Sequence, residues 1–309
     1  MIVRLCLRLS ALLLTVFATV TLCLPVAQAQ QVALTFDDLP AHGPLPSGTT
    51  REQVIRDILM ALKASGTPPV YGFINGVRID ENPADAKVLD LWRSYDYPLG
   101  NHTWSHMNLN EHTAAEWEAD LLKNEKVLSP LMKSADWRWV RFPYLAEGES
   151  PKKAAEVRAF LADQHYRIAG VTMSFDDYLF NEPYARCLAK NDTAAVTKLE
   201  DLFLDSARTD LADRRAMAKA AFGRDIPYVL LMHVGDFDAH MLARLLALYR
   251  QQGVSFVSLQ QAESDPFYRN DLDPRLPGFP DSLEAALAAK SGSIPRHASP
   301  ADAVDKLCR

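Results

Sequence analysis

Val32-Ala33-Leu34-Thr35-Phe36-Asp37-Asp38 is the stretch on which the fold turns. Val32 to Phe36 is a short apolar run that predicts a strand, and it ends abruptly in two adjacent aspartates. The segment that follows changes period. Thr50 and Gln53 form a capping-box pattern, and Val54, Ile55, Ile58, Leu59 and Leu62 recur at helical spacing until Gly66. The alternation continues with strands predicted over 70–74, 97–100, 137–142, 166–173, 228–232 and 254–257. Helices are predicted over 84–95, from Thr113 to near Met132, from Ser150-Pro151 onward, and over 238–250. Six or seven strand–helix units in succession imply an α/β fold with a parallel sheet, either open or closed into a barrel. The segment 181–222 is too long for a simple crossover and predicts a helical insertion in one domain spanning residues 30–265. Residues 266–309, with many prolines and an Ala-rich helix, read as an extension packed on that domain.

The whole chain has 309 residues, 48% of them hydrophobic and 23% charged, with a net charge of −6. That composition excludes a disordered chain, a collagen-like repeat and a polytopic membrane protein. A net negative charge without a basic run argues against nucleic acid or an anionic membrane surface as partner. Arg4 and Arg8 precede an apolar run, Leu9 to Leu24, followed by Pro25 and Ala27-Gln28-Ala29. This is the pattern of a secretory signal peptide, residues 1–29, cleaved after Ala29. The alternative is an uncleaved anchor. Cleavage removes two arginines, no acid and two of the four cysteines, leaving 280 residues with a charge of −8. The expected location is periplasmic or secreted, with no stable membrane insertion after cleavage. Cys187 and Cys308 then remain, either as a disulfide or as two thiols.

Functional groups of parallel α/β domains gather at the C-terminal ends of the strands. Those ends carry Asp37-Asp38, His102-Thr103-Trp104-Ser105-His106, Arg141-Phe142-Pro143-Tyr144, Asp176-Asp177-Tyr178 and His233. Each alone is more often a turn, a cap or a solvated face than a site. Together they point to metal-assisted hydrolysis. His102 and His106, if helical, share one face at a spacing that lets both imidazoles reach one ion. A carboxylate from Asp37 or Asp38 completes a two-His-one-carboxylate set, and the other is free to act as a base.

These motifs resemble those of the polysaccharide deacetylases, the NodB-homology or carbohydrate esterase family 4 enzymes. The matching residues, in order, are Thr35-Phe36-Asp37-Asp38, His102-Thr103-x-x-His106, Arg141-x-Pro143-Tyr144, Asp177-Tyr178 and Leu231-x-His233. The resemblance implies a distorted (β/α)7-type barrel and a divalent metal, Zn2+ or another such as Co2+, held by Asp38, His102 and His106. It further implies Asp37 as general base for the attacking water and Arg141 as the opposite charge that orients it. The backbone N–H of Tyr144 would stabilise the oxyanion, and His233 would be the acid that protonates the leaving nitrogen. Trp104, inside the histidine motif, and Tyr178 are the expected sugar-contacting aromatics.

Two departures stand out. Only one residue separates Arg141 from Pro143, where the family commonly has two. Three residues before Asp177, where the family has an aspartate that orients the acid histidine, this chain has Ser174, leaving Asp176 or Asp236 as substitutes. The expected activity is N-deacetylation of acetylated glycans or oligosaccharides, with an O-acetyl esterase on a xylan-like polymer as the alternative. A catalytically weak glycan-binding protein on the same scaffold is a third reading.

Overall fold

The computed structural model of the chain describes residues 30–276, 282–291 and 299–309, so the expected signal segment 1–29 lies outside the described residues. Seven strands form one parallel sheet: β1 (Gln30–Leu39), β2 (Tyr71–Ile74), β3 (Leu99–Asn101), β4 (Trp139–Val140), β5 (Arg167–Ile168), β6 (Tyr228–His233) and β7 (Val254–Phe256). The spatial order is β5-β4-β3-β2-β1-β6. β7 pairs with Gln30–Val32 of β1, below the stretch from Thr35 to Leu39 that pairs with β2. The ring closes without a continuous seventh neighbour. Downstream of β5, Met173 bridges in parallel to Leu230 of β6, and Thr172 N and Met173 N both donate to the Val229 carbonyl. The result is a curled, distorted barrel of the (β/α)7 type.

Two strands are shorter than the apolar pattern predicts. The run 166–173 splits its partners: Ala169 N still donates to Val140, whereas Thr172 has crossed to Val229. β4 ends because Pro143, which has no N–H, opens a 3-10 turn over Pro143–Leu145.

The pleat decides which residues enter the barrel, because successive side chains point to opposite faces. Ala33, Tyr71, Phe73, Trp139, Ala169 and Val229 form one buried cluster inside the ring. Their neighbours Val32, Leu34, Phe36, Ile74, Leu230 and Met232 belong to the cluster beneath the helices. Asp37, Arg141 and His233 share the inward parity of Ala33, Trp139 and Val229. The residue numbers alone therefore aim all three at the mouth of the barrel.

The helices cover the outside. Thr50 caps Arg51–Ala64 by accepting from Gln53 N, although the Gln53 side chain turns to Asp57 rather than completing the box. Val54, Ile55, Ile58, Leu59 and Leu62 of that helix are all buried. Thr113 and Glu116 make a full capping box on Ala114–Met132, and Ser150 accepts from Lys153 N at the start of Pro151–Asp163. The insertion consists of two helices, Asn181–Ala189 and Thr193–Phe222. Beyond β7, Tyr268 is buried with the ring's inner cluster and its hydroxyl bonds Thr172 Oγ1 and the Pro227 carbonyl, both at 2.8 Å. Cys187 and Cys308 form a disulfide. Among the described residues, no helix is long and apolar enough to cross a membrane.

Candidate active site

Arg141 organises the inward face of the site, where it is buried with Asp37. Its Nη1 lies 3.1 and 3.2 Å from the two carboxylate oxygens of Asp37. Nη2 donates to Thr35 Oγ1 at 3.0 Å, and Nε to the Ala169 carbonyl at 2.7 Å. The guanidinium fork is thus tied to β1 and to the segment after β5, and it fixes the orientation of Asp37.

Asp38 follows at the rim with φ 64°, and a tight turn closes by Ala41 N donating to the Asp38 carbonyl. The turn brings His42 back, and its Nδ1 sits 2.7 Å from Asp38 Oδ2. The other oxygen, Asp38 Oδ1, faces His102 Nε2 at 3.5 Å and His106 Nε2 at 3.4 Å. It is buried and has no hydrogen-bond partner among the described residues. His102 Nδ1 is 2.7 Å from the Arg141 carbonyl, which can only accept, so the ring proton is on Nδ1 and Nε2 is turned into the site.

An orphaned carboxylate oxygen between two imidazole nitrogens is a donor set that could hold a divalent transition-metal ion, and these three atoms lie within 4.8 Å of one another. Protonation states agree with that use. Burial and the neighbouring His102 push His106 down to about 4, which leaves its imidazole neutral. Burial raises Asp38, but the imidazoles of His102 and His42 beside it hold its carboxyl well below the usual range.

The two histidines are not helical neighbours. Residues 102–106 form a loop in which Thr103 and His106 both have positive φ, 60° and 57°. The helix expected from their spacing is replaced by side-chain bonds to the main chain. Asn75 Nδ2 donates to the carbonyls of His102 and Thr103, and Thr103 N donates to Asn101 Oδ1.

Across the mouth stands His233, on the last residue of β6. Asp177 grips it twice: Oδ2 accepts from the backbone N of His233 at 2.6 Å, and Oδ1 lies 3.0 Å from Nδ1. Burial alone lowers His233, but the Asp177 carboxylate overrides it and pushes the group up to about 10. Asp177, buried completely, is itself held below its ordinary value by His233 against the effect of burial. Neither substitute considered for the missing aspartate takes this place. Asp176 accepts from Ser299 at 2.8 Å, and Asp236 lies in the first turn of Asp236–Gln251.

The aromatic residues divide. Tyr144 and Tyr178 are exposed at 67% and 43%, the first edge-on to His106 at 4.5 Å and the second 5.4 Å from the His233 ring. Trp104 does not match the expectation of a sugar contact. It is 8% exposed, Lys123 covers its ring at 4.1 Å, and its six-membered ring packs so closely on Gly76 that a Cβ there would lie 2.5 Å away. The loop carries Trp104 into the core while its flanking histidines turn out.

Residues 26–161 match the model of the polysaccharide deacetylase family. That segment, somewhat under half of the chain, is similar to the polysaccharide deacetylases. A chitin deacetylase from Arthroderma benhamiae is 26% identical over 158 residues, 48% of this chain and 39% of that protein. The match thus spans well under half of this curated relative. The chitin deacetylase of Colletotrichum lindemuthianum superposes with a TM-score of 0.52 at 21% identity, over 76% of this chain and 88% of that one. A CE4 family pseudoenzyme from Bacillus anthracis does so with a TM-score of 0.51 at 16% identity, over 76% and 66%. Such identities establish a shared fold. Since one of these structures is a pseudoenzyme, chemistry has to be argued from side chains.

Asp37, Asp38, His102, His106 and Arg141 all fall inside the segment that matches the polysaccharide deacetylase model, whereas Asp177 and His233 lie beyond it. The barrel brings both groups to one mouth. Three residues at this mouth escape motif reading. His42 has a local signal, a proline two residues after Asp38 that turns the chain back. Asn181 and Asp238 have none: Asn181 Nδ2 donates to Asp238 Oδ2 at 2.9 Å, and its side chain fills the space where a Cβ on Gly235 would stand 2.0 Å away. Burial and the charge of Asp177 raise Asp238 well above the ordinary aspartate value, and Asp238 stands behind the Asp177–His233 pair.

Proposed function

We propose that the chain is an exported, metal-dependent hydrolase that removes acetyl groups from N-acetylated glycans or oligosaccharides. Asp38, His102 and His106 would hold the divalent ion, zinc or cobalt. When bound, such an ion supplies Lewis-acid polarisation of the acetyl carbonyl and of water. Asp37, oriented by Arg141, whose guanidinium is in turn tied to Thr35, accepts the proton of the attacking water. The backbone N–H of Tyr144 is assigned to the developing oxyanion. His233 gives its proton to the departing sugar nitrogen, and Tyr144 and Tyr178 flank the sugar.

The observation that carries the preference for an amide is the His233–Asp177 pair. An amine leaves poorly without a proton, whereas an alkoxide needs one less. A histidine held protonated to about pH 10 is suited to the harder leaving group. Export is supported by the apolar stretch before Ala27-Gln28-Ala29 and by the Cys187–Cys308 bridge, which persists in oxidising compartments. On this view residues 1–29 are removed, 30–265 form the catalytic domain and 266–309 pack against it.

The test is acetate release by the zinc- or cobalt-loaded protein from N-acetylated chitooligosaccharides, peptidoglycan fragments and acetylxylan. Release from the amides is expected to dominate. Release from acetylxylan alone would make the protein an esterase. Sugar binding that survives D37A, with no turnover by the parent, would make it a binding protein.

A further inference from the structure

Resting on the metal site proposed above, we propose that His42 is a positioning residue for Asp38: it occupies one carboxylate oxygen so that the other is presented to the cation. The terminal torsion of an aspartate is broad, so nothing intrinsic decides which oxygen faces His102 and His106. His42 decides it here. Its Nδ1 lies 2.7 Å from Asp38 Oδ2. A carboxylate oxygen only accepts, so that nitrogen donates. Oδ1 is left buried, unpartnered among the described residues and within 3.5 Å of both imidazoles assigned to the ion.

His42 is itself held in place. Arg51, at the start of helix Arg51–Ala64, donates from Nη1 to the His42 carbonyl at 2.7 Å and from Nη2 to the Gly43 carbonyl at 2.6 Å. On the other side the imidazole packs against the His233 ring at 4.7 Å. A chain of fixed contacts therefore runs from a helix start through the loop to one carboxylate torsion. It parallels the bond from His102 Nδ1 to the Arg141 carbonyl, which fixes a second ligand from behind. Asp38, His42 and His233 also lie within 4.8 Å of one another. Both of these histidines have Nδ1 engaged, by Asp38 and Asp177 respectively, so the group reads as a hydrogen-bonded set rather than a second cation site.

The experiment is a zinc titration of the metal-stripped full-length protein against a chromophoric chelator, with the cobalt absorption spectrum recorded at saturation. H42A and H42L lack a donor; H42N carries an amide N–H close to the position of Nδ1. Removal of such a supporting bond costs about 10- to 100-fold in metal affinity. That loss is expected for H42A and H42L, with most of it recovered in H42N and the saturated cobalt spectrum unchanged in all three. Affinity in H42A or H42L equal to that of the parent would overturn the proposal. So would a cobalt spectrum showing one nitrogen ligand fewer, which would make His42 a ligand. Should H42A fail to fold, equal affinity in H42L and H42N would overturn it on its own. A parent that binds no zinc would instead remove the metal site itself, a result distinct from any difference among the His42 variants.

Discussion

Asp177 sets the protonation of His233, on which its proposed role as an acid depends. With the carboxylate present the imidazole keeps its proton to about pH 10; without it, burial is opposed only by the more weakly acting charges of Asp38 and Asp37, and the value falls. In D177N the alkaline limb of kcat/KM is therefore expected to fall from near pH 10 toward the ordinary histidine value of about 6.5. The sign for stability follows from linkage, since a raised pKa in the folded state stabilises fully below the unfolded pKa and less above it. The parent should lose stability as pH rises from about 6.5 through about 10, and D177N should lose less, as urea midpoints across that range would record. The two aromatics make a second contrast. Y178A should raise KM about 3- to 10-fold if its exposed ring contacts sugar. W104F should leave KM alone and lower Tm, because that ring is buried. Residue identity in the ordered motifs was readable from sequence. The Asp177 grip on His233 was not, since it depends on which of several nearby carboxylates the fold carries inside.

At the scale of elements, the loop 101–106 shows where pattern fails. His102 and His106 are four apart, which fits a helix, yet their positions are set by polar side chains distant in sequence. Asn124, on Ala114–Met132, is fully buried and donates to the Ile74 carbonyl at 2.7 Å and to Asn101 Oδ1 at 2.8 Å, while accepting from Gly76 N at 2.9 Å. It joins the ends of β2 and β3 to the helix that covers them. N124A should cost about 1–3 kcal/mol for each buried group left unpaired, read by urea unfolding. It should also weaken zinc binding, because His102 follows Asn101 directly. Strand pleating was the legible part. Alternation along β1, β4 and β6 places Asp37, Arg141 and His233 on one face once the sheet curls. The shortness of β5 was not legible, because it arises where the chain changes partners between Ala169 and Thr172.

For the whole molecule, the succession of strands and helices specified a parallel α/β domain with an insertion, and the chain folds that way. Closure through Met173 rather than through a full strand depends on long-range pairing that periodicity does not encode. The pairing of Cys187 with Cys308 was likewise open from sequence. Their bridge spans 121 residues and ties the C-terminal segment to helix Asn181–Ala189, which directly follows the turn carrying Asp177 and Tyr178. A C187S/C308S double variant should lose about 2–4 kcal/mol relative to the oxidised parent, measured by denaturant midpoint. The same parent treated with reductant should match the variant.

Zinc added back to metal-stripped protein, with acetate release from chitooligosaccharides followed at each addition, bears most directly on the site as a whole. Activity should rise in proportion to zinc and stop at one ion per chain. D37A should bind that ion equally well and release acetate about 10²- to 10⁴-fold more slowly. Full acetate release by the stripped protein, or by D37A, would contradict the assignment of Asp38, His102 and His106 to the metal and of Asp37 to the base.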